Sequence, residues 1–574
     1  MIVLACIAII VTGCFSKNVE NGKNDSCRNS ICNPLNLSYR FMPDGASRRE
    51  AADPSVVTFQ DEYYLFASKS GGYWYSSDLV DWEFVETDQI PTEQYAPTVI
   101  TMRDTIFFLA SSRDRLENAI YKSGNPKSGQ WTQVRNAMPF DVWDPAFFQD
   151  DDERLYMYWG CSNRDPIRGI ELDPITFDPI SDSIDCIAQN FKVHGWERPG
   201  DYNEIDRAPW IEGPWMTKHE GKYYLQYAGP GTEFKSYADG VYEGGSPLGP
   251  FTYAKNNPFS YKPEGFINGA GHGSTFKDRY GNYWHMGTMT VYVKDWFERR
   301  LGLFPTYFDG EGNLVTDTGF GDTPFYIPNK KVSDVKELNT NWMLLSYNKE
   351  VSASSQIDSL PVKNAVDENV RTYWSAVSGD KGEWYSIDLL EECDISAIQV
   401  NFYDHGTQLF KRDENIYYQY VLEYSKNGAN WVSLINKENH MLDTPHDYIQ
   451  LENPVKARYI RLTSYYVPDG NFALSDLRVF GKGMGPLPNM PKNIEAIRNQ
   501  NDRREVLLTW DESKNADGYI IQYGISKDKL YHSYKVYGKN TVTIRSLNAN
   551  QDYCFRLDAF NENGLVKNRT VVFN

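Results

Sequence analysis

Positive charge is what this sequence has least of. Its 58 Lys and Arg face 77 Asp and Glu, for a formal net charge of −19 at pH 7. No Lys/Arg cluster reverses that balance locally, so nucleic acid and anionic membrane surfaces are repelled and neutral or cationic partners are favoured. Hydrophobic runs of bilayer length are missing as well; the apolar run in the N-terminal "MIVLACIAIIVTGCFSKN" has the length of a signal peptide. Cysteine is scarce, with eight in 574 residues. Cys161, Cys186, Cys393 and Cys554 stand in no metal-ligand spacing and read as buried thiols, whereas Cys27 and Cys32 are close enough to close a small loop in an oxidising compartment. What the chain has in quantity is aromatic side chains, 15% of residues with 40 Tyr and 15 Trp. Their flat amphipathic faces suit strands, sugar platforms and interfaces. The length exceeds what one core supports and predicts three or four domains.

The string "VTGC" resembles a bacterial lipobox, which implies Cys14 as the first mature residue and lipid carrier. An ordinary secretory signal is the alternative, and no Lys or Arg precedes the apolar run. Everything beyond residue 14 is expected to be exported and held at the bacterial envelope, with 15–32 as a linker.

Internal repetition organises the next three hundred residues. "AADPSVVTFQDEYYLFA" begins at Ala51, "YAPTVITMRDTIFFLASS" at Tyr95, "WDPAFFQDDDERLYMYWG" at Trp143, "IEGPWMTKHEGKYYLQYA" at Ile211 and "GHGSTFKDRYGNYWHMGT" at Gly271. Each is an apolar strand, a polar turn and an aromatic strand. The entrances at Asp53, Ala96, Asp144, Glu212 and His272 recur at intervals of roughly 45 to 70 residues, close to four-stranded blades. Secondary echoes such as "YWYSSDLVDWEFV" and "GVYEGGSPLGPFTYA" supply the outer strands. Five such units predict a five-bladed β-propeller over 33–330. Because first strands line the channel of a propeller, Asp53, Asp144 and Glu212 are expected to meet at one mouth. A lone Asp before Pro only starts a turn, but three acids at repeat entrances form a candidate constellation.

These residues resemble glycoside hydrolase family 43, five-bladed propellers with an Asp, Asp, Glu trio in a central pocket. The resemblance rests on "ADP", "WDP" and "EGPWMTK" and covers about residues 33–330. It implies Asp53 as general base, Asp144 as the group that tunes and orients the acid, and Glu212 as general acid. Inverting hydrolysis needs one ionised and one protonated carboxyl roughly 6.5 to 9.5 Å apart, and a third carboxylate beside the acid raises its pKa. The related invertase-like propellers carry an "NDPNG"-like first motif and retain configuration; "ADPS" differs from it. The resemblance requires no cofactor. It also implies His272 in "GAGHGS" as a candidate ligand for calcium or another ion in the channel, the alternative being a hydrogen-bonded core histidine. Trp74 is a candidate sugar platform, or else packs the outer strands. Of Arg299 and Arg300 one is expected to enter the pocket and the other to pair on the surface. The insert "HGWERPG" at 194–200 is expected to shape the pocket rim, with no chemical role for His194 or Glu197.

Residues 336–482 resemble a discoidin or factor V/VIII type C sandwich, the fold of family 32 carbohydrate-binding modules, through "NAVDENVRTYWSA", "GEWYSIDLLEECDISAIQVNF", "YVLEYSKNGANWVSL" and "ARYIRLTSYY". Trp374, Trp384 and Trp431 are expected in its core. After "GKGMGPLPNMP", residues 487–574 resemble a fibronectin type III domain, with Trp510 buried and Tyr553 at the corner. The sequence thus reads as all-β, a propeller followed by two β-sandwiches. The expected function is an inverting exo-glycosidase acting on plant-type polysaccharide, with arabinofuranoside first among substrates and xyloside, galactoside or galactofuranoside as alternatives. The rival is a non-catalytic carbohydrate-binding surface protein.

Overall fold

The computed structural model describes residues 29–112, 118–569 and 571–573; Cys14, Cys27 and the N-terminal apolar run lie outside them. Regular structure among the described residues is strand, interrupted by short 3-10 turns. No helix there is long and apolar enough to cross a membrane.

Five antiparallel sheets follow one another between Ser55 and Thr316, each a meander of sequence neighbours. Blade one comprises Ser55–Phe59, Glu62–Phe66, Gly72–Ser76 and Glu83–Glu86, and the later blades open with Tyr95–Met102, Ala146–Gln149, Glu212–His219 and Asn268–Lys277. Several hairpins turn on two residues with positive φ, Gln60 and Asp61, Arg103 and Asp104, Glu220 and Gly221, the left-handed pair that matches strand twist. First strands touch in the order one to five, and the fifth touches the first, closing a ring. Hydroxyls stitch the blades together: Ser274 Oγ accepts the Val56 N–H, Ser55 Oγ that of Val99, and Thr98 Oγ1 that of Phe147, each at 3.1 Å. The core lies between blades. Phe66, Tyr73, Phe108 and Trp131 fill the first gap, and Tyr158, Trp196, Leu225 and Tyr227 fill another.

Among the described residues no strand is exchanged between the first and fifth blades; the N-terminal segment seals the seam instead. Asn33 Nδ2 donates to the Leu303 and Gly321 carbonyls, the Leu35 N–H to the Leu301 carbonyl, and the Leu301 N–H to Tyr39 Oη. Just before it, Ser30–Ile31 pairs with Phe325–Tyr326.

Two sandwiches follow. The first is built on the long strands Trp384–Phe402, His446–Tyr466 and Ala473–Lys482 around Trp374, Tyr385 and Leu474. Trp374 is in that core as expected. Trp384 and Trp431 are not: both are part-exposed, and Arg461 lies 4.0 Å over the Trp431 ring. The second sandwich sets a three-stranded sheet against a five-stranded one. Trp510 is buried against Tyr519, and Tyr553 Oη accepts the Asn548 N–H.

Buried charge joins the three bodies. Arg49, wholly buried, pairs with Asp404 at 2.9 Å and Asp443 at 2.6 Å. Asp322 lies between Lys262 at 3.2 Å and Lys535 at 3.0 Å; against the effect of burial, the two ammonium groups hold its carboxyl well below the usual range. Cys32 is a buried free thiol in contact with Gln399 and Arg478, and burial pushes it up to about 12.

The insert at 194–200 belongs to this joinery and not to a pocket rim. His194 stacks on Tyr253 with centroids 3.7 Å apart, the Gly195 N–H donates to the Leu547 carbonyl, and Arg198 pairs with Asp502. Glu197 is buried, accepting from Tyr227 Oη and the Asn190 N–H. These groups dock the last sandwich against the fourth blade.

Candidate active site

One local device, repeated five times, builds the site. Asp53, Ala96, Asp144, Gly213 and His272 all have positive φ, between 40° and 56°, and the first four stand directly before Pro54, Pro97, Pro145 and Pro214. In blades two, four and five the pairing register slips at this point, a bulge that re-aims side chains at the start of the strand. The preceding blade supplies the partner for the backbone: the Asp53 N–H donates to Thr288 Oγ1 at 2.8 Å, Ala96 to Ser68 Oγ at 2.7 Å, Asp144 to Ser111 Oγ at 2.7 Å and His272 to Asp239 Oδ1 at 2.7 Å. Glu212 therefore sits one residue before the equivalent position, which Gly213 occupies. A side chain at 213 is excluded: its Cβ would lie 2.5 Å from the His272 ring.

The device brings the side chains together. His272 Nδ1 is 3.3 Å from Asp53 Oδ1 and 3.8 Å from Asp144 Oδ2. Ligand atoms of Asp144, Cys161 and Glu212 all lie within 4.8 Å of one another, a group that does not include Asp53. Arg299 Nη1 reaches both Asp53 oxygens at 3.3 and 3.4 Å and Thr232 Oγ1 at 3.3 Å, while its Nη2 donates to Glu50 Oε1 at 2.6 Å. Ser68 Oγ donates to Asp53 Oδ2 at 2.5 Å. Glu212 is held by Tyr237 Oη on one oxygen and by the Cys161 thiol, at 3.2 Å, on the other. Further along, the first strands present Val57, Ile100, Phe148, Met216 and Phe276 beside Lys218 and Lys277.

Two buried aspartates are driven in opposite directions. Burial alone would raise Asp53, but the Arg299 and His272 charges and the Ser68 hydrogen bond outweigh it and hold the carboxyl below its ordinary value. Burial pushes Asp144 up to about 7, with His272 opposing and the Glu212 and Asp53 charges adding. His272 is raised above the ordinary imidazole value: burial works against its charge, and the surrounding carboxylates prevail. The Cys161 thiol is raised well above its ordinary value, by burial and then by Asp144 and Glu212, and stays neutral.

The residues expected from sequence are thus divided by the structure. Asp53, Asp144, Glu212, His272 and Arg299 come together. Trp74 does not line the mouth: it is 1% exposed and packs against Phe84 and beneath Arg412, because its strand turns that face towards the N-terminal segment. Arg300 is neither in the pocket nor on the surface. Strand alternation sends it away from Arg299, to donate to His446 Nε2 at 2.9 Å and the Arg49 carbonyl. A calcium ion takes six to eight oxygen ligands. The Nδ1 edge of His272 offers two carboxylates, one of them already paired with Arg299, and does not fit that ion. Glu50, Ser68, Cys161, Thr232 and Tyr237 were not legible as site residues; only the nearness of Glu50 to "ADP" pointed to one of them.

Parts of the chain are similar to known families and proteins. Residues 47–304 match the profile of glycosyl hydrolases family 43 and residues 350–474 that of the F5/8 type C domain. The first match covers most of the propeller and the second most of the first sandwich. It is 30% identical over 109 residues to the β-D-galactofuranosidase xynD of Aspergillus niger, covering 19% of this chain and 26% of that protein. It is 27% identical over 129 residues to a β-xylosidase of Xylanibacter ruminicola, covering 19% and 39%. The matched stretches thus span well under half of either relative. Among solved structures, the Bacteroides ovatus xyloglucan PUL GH43B is similar at 15% identity and a TM-score of 0.43, over 79% of this chain and 98% of that one.

Proposed function

We propose that this chain is an exported glycosidase that releases a terminal sugar from plant-type polysaccharide by a single, inverting displacement. The observation that carries the reading is the convergence of Asp53, Asp144 and Glu212 round His272 at one mouth of the ring, with Asp53 and Asp144 driven to opposite protonation states. Asp53, ionised and gripped by Arg299, takes a proton from water as that water attacks the anomeric carbon. Glu212, oriented by Tyr237 and Cys161, delivers a proton to the departing oxygen. Asp144 retains a proton near neutrality within 4.8 Å of a Glu212 oxygen, so the two carboxyls together hold the one proton that leaves through Glu212. No step needs a metal.

Arabinofuranoside is the substrate proposed first. The named activities of the two curated relatives keep galactofuranoside and xyloside as alternatives. Lipid attachment at Cys14 and a fibronectin type III identity for the last sandwich belong to the same proposal; the Tyr553 corner supports the latter.

The test is hydrolysis of nitrophenyl arabinofuranoside, xyloside, galactoside and galactofuranoside by the chain beginning after Cys14, with Asp53→Ala and Glu212→Ala alongside. Turnover of one glycoside, reduced by a factor on the order of 10² to 10⁴ in Asp53→Ala and lost likewise in Glu212→Ala, is expected, with the anomer of the product inverted by NMR. Silence on every glycoside and on arabinan, xylan and galactan would favour the carbohydrate-binding protein.

A further inference from the structure

Loop 291–298 lies between the carboxylates and the discoidin domain. It leaves blade five just after Thr288, which accepts the Asp53 N–H, and returns at Arg299, which grips the Asp53 carboxylate. It is wound round buried Glu298: that carboxylate accepts the Val293 and Lys294 N–H groups at 3.0 and 2.8 Å, and the Glu298 carbonyl accepts those of Val291 and Tyr292. Its outer face is aromatic. Tyr292 is 41% and Trp296 54% exposed, and Phe297 lies 4.9 Å beneath the Arg299 guanidinium, with Trp296 at 5.8 Å and Tyr95 at 6.0 Å between ring centroids.

The discoidin domain braces this loop with its own loop end. Lys294 Nζ donates to the Asp404 carbonyl at 2.5 Å and lies over the Tyr403 ring. Arg371 covers the Tyr292 ring at 5.2 Å, pairs with Asp201 at 2.7 Å and donates to the Glu233 carbonyl at 3.3 Å, adjoining Thr232, which meets Arg299. Tyr373 stacks on Tyr403 at 3.9 Å and shares a hydrogen bond with His405 at 3.0 Å. The edge of the sandwich that carries these residues therefore faces the propeller mouth.

From these contacts we infer that the discoidin domain is a wall of the substrate cleft, and that Trp296, Tyr292 and the Arg371 edge form a shelf for the polysaccharide chain beyond the sugar that is removed. The inference rests on the glycosidase reading. Exposed flat rings on a braced loop suit the apolar faces of neutral sugar rings. Of the nearby acids, Asp201 pairs with Arg371, Glu298 is bound by its own loop, Asp295 pairs with Arg48 and accepts the Phe297 N–H, and burial disfavours charge on Glu233, so the shelf is weakly suited to a cationic ligand. Continuity with the Asp53 mouth through Phe297 and Arg299 identifies the occupant as the same polymer whose end enters the pocket.

The experiment uses the full chain after Cys14 with Trp296→Ala, Tyr292→Ala and Arg371→Met. The ratio of kcat/KM on arabinan, xylan or galactan to that on the cleaved nitrophenyl glycoside is expected to fall about tenfold in Trp296→Ala, the scale of a lost aromatic contact. In parallel, Glu212→Gln is run by affinity electrophoresis through gels containing each polymer. Retardation by one polymer, lost when Trp296→Ala is added, supports the shelf even where no glycoside is cleaved, and in that case the glycosidase reading falls alone. Unchanged ratios in all three variants, or no retardation by any polymer, overturns the shelf and leaves the glycosidase reading standing if the nitrophenyl glycoside is cleaved.

Discussion

At Gly213 a side chain is excluded for two reasons: φ is +56°, and a Cβ would press to 2.5 Å on the His272 ring. Gly213→Ala is expected to displace the imidazole from Asp53 and Asp144, lowering kcat by at least about tenfold for a shift on the order of 1 Å, with far-ultraviolet circular dichroism unchanged. A titration argument applies at Asp144. Its proton leaves near pH 7 in the folded chain and near 3.8 in the ordinary carboxyl. Its contribution to stability is therefore full below about pH 4 and is lost as pH rises towards 7. A melting temperature that falls between pH 5 and 8, and falls less in Asp144→Asn, is the expected result; identical pH profiles for the two proteins would count against a buried, proton-bearing Asp144. Activity should decline as pH rises through 7. The clustering of Asp53, Asp144 and Glu212 was legible because acids at repeat entrances are chemically unlike the Ala96 that fills another. Trp74 and Arg300 were misjudged because residue type does not reveal which face of a strand is covered: Trp74 lies under Arg412 and Arg300 under Tyr39.

The entrance bulge is the element on which the site depends, and proline made most of it visible. Four of the five positive-φ residues precede Pro, so the register of Asp53, Ala96, Asp144 and Gly213 was written in the sequence; aligning the repeats on their acids instead put Glu212 one position out. What the sequence did not reveal is that each entrance leans on the blade before it. Ser68 serves two blades, accepting the Ala96 N–H and donating to Asp53 Oδ2. Ser68→Ala removes one of the groups that lower the Asp53 carboxyl, so the acid limb of the kcat/KM profile is expected to move to higher pH. An unmoved limb would show that Arg299 and His272 set the protonation of Asp53 without it.

Over the whole molecule, the order of the three bodies was readable from composition and strand pattern, but their joints were not. Arg49 stands between charged neighbours in "ASRREAADP", yet it is fully buried between Asp404 and Asp443. Single-chain periodicity reports which face of a strand is apolar and says nothing of which charged faces meet. Arg49→Met leaves two carboxylates uncompensated, a change that costs roughly 3 to 5 kcal/mol for a buried pair. The expected readouts are a lower chemical-denaturation midpoint and separate transitions for propeller and discoidin domain in place of one. The seam between blades five and one gives the molecule a mechanical grain. Tension applied at the N-terminal end enters at Ser30–Ile31 and reaches Asn33, Leu35 and Tyr39 before any blade. In an optical trap the first rip should release residues 33–51, a contour gain on the order of 60 to 70 Å, and would carry off Glu50 and with it one anchor of Arg299. Pulled hard from that end, the mouth would lose its hold on Arg299 while the blades were still folded, and would regain it when the strain was released.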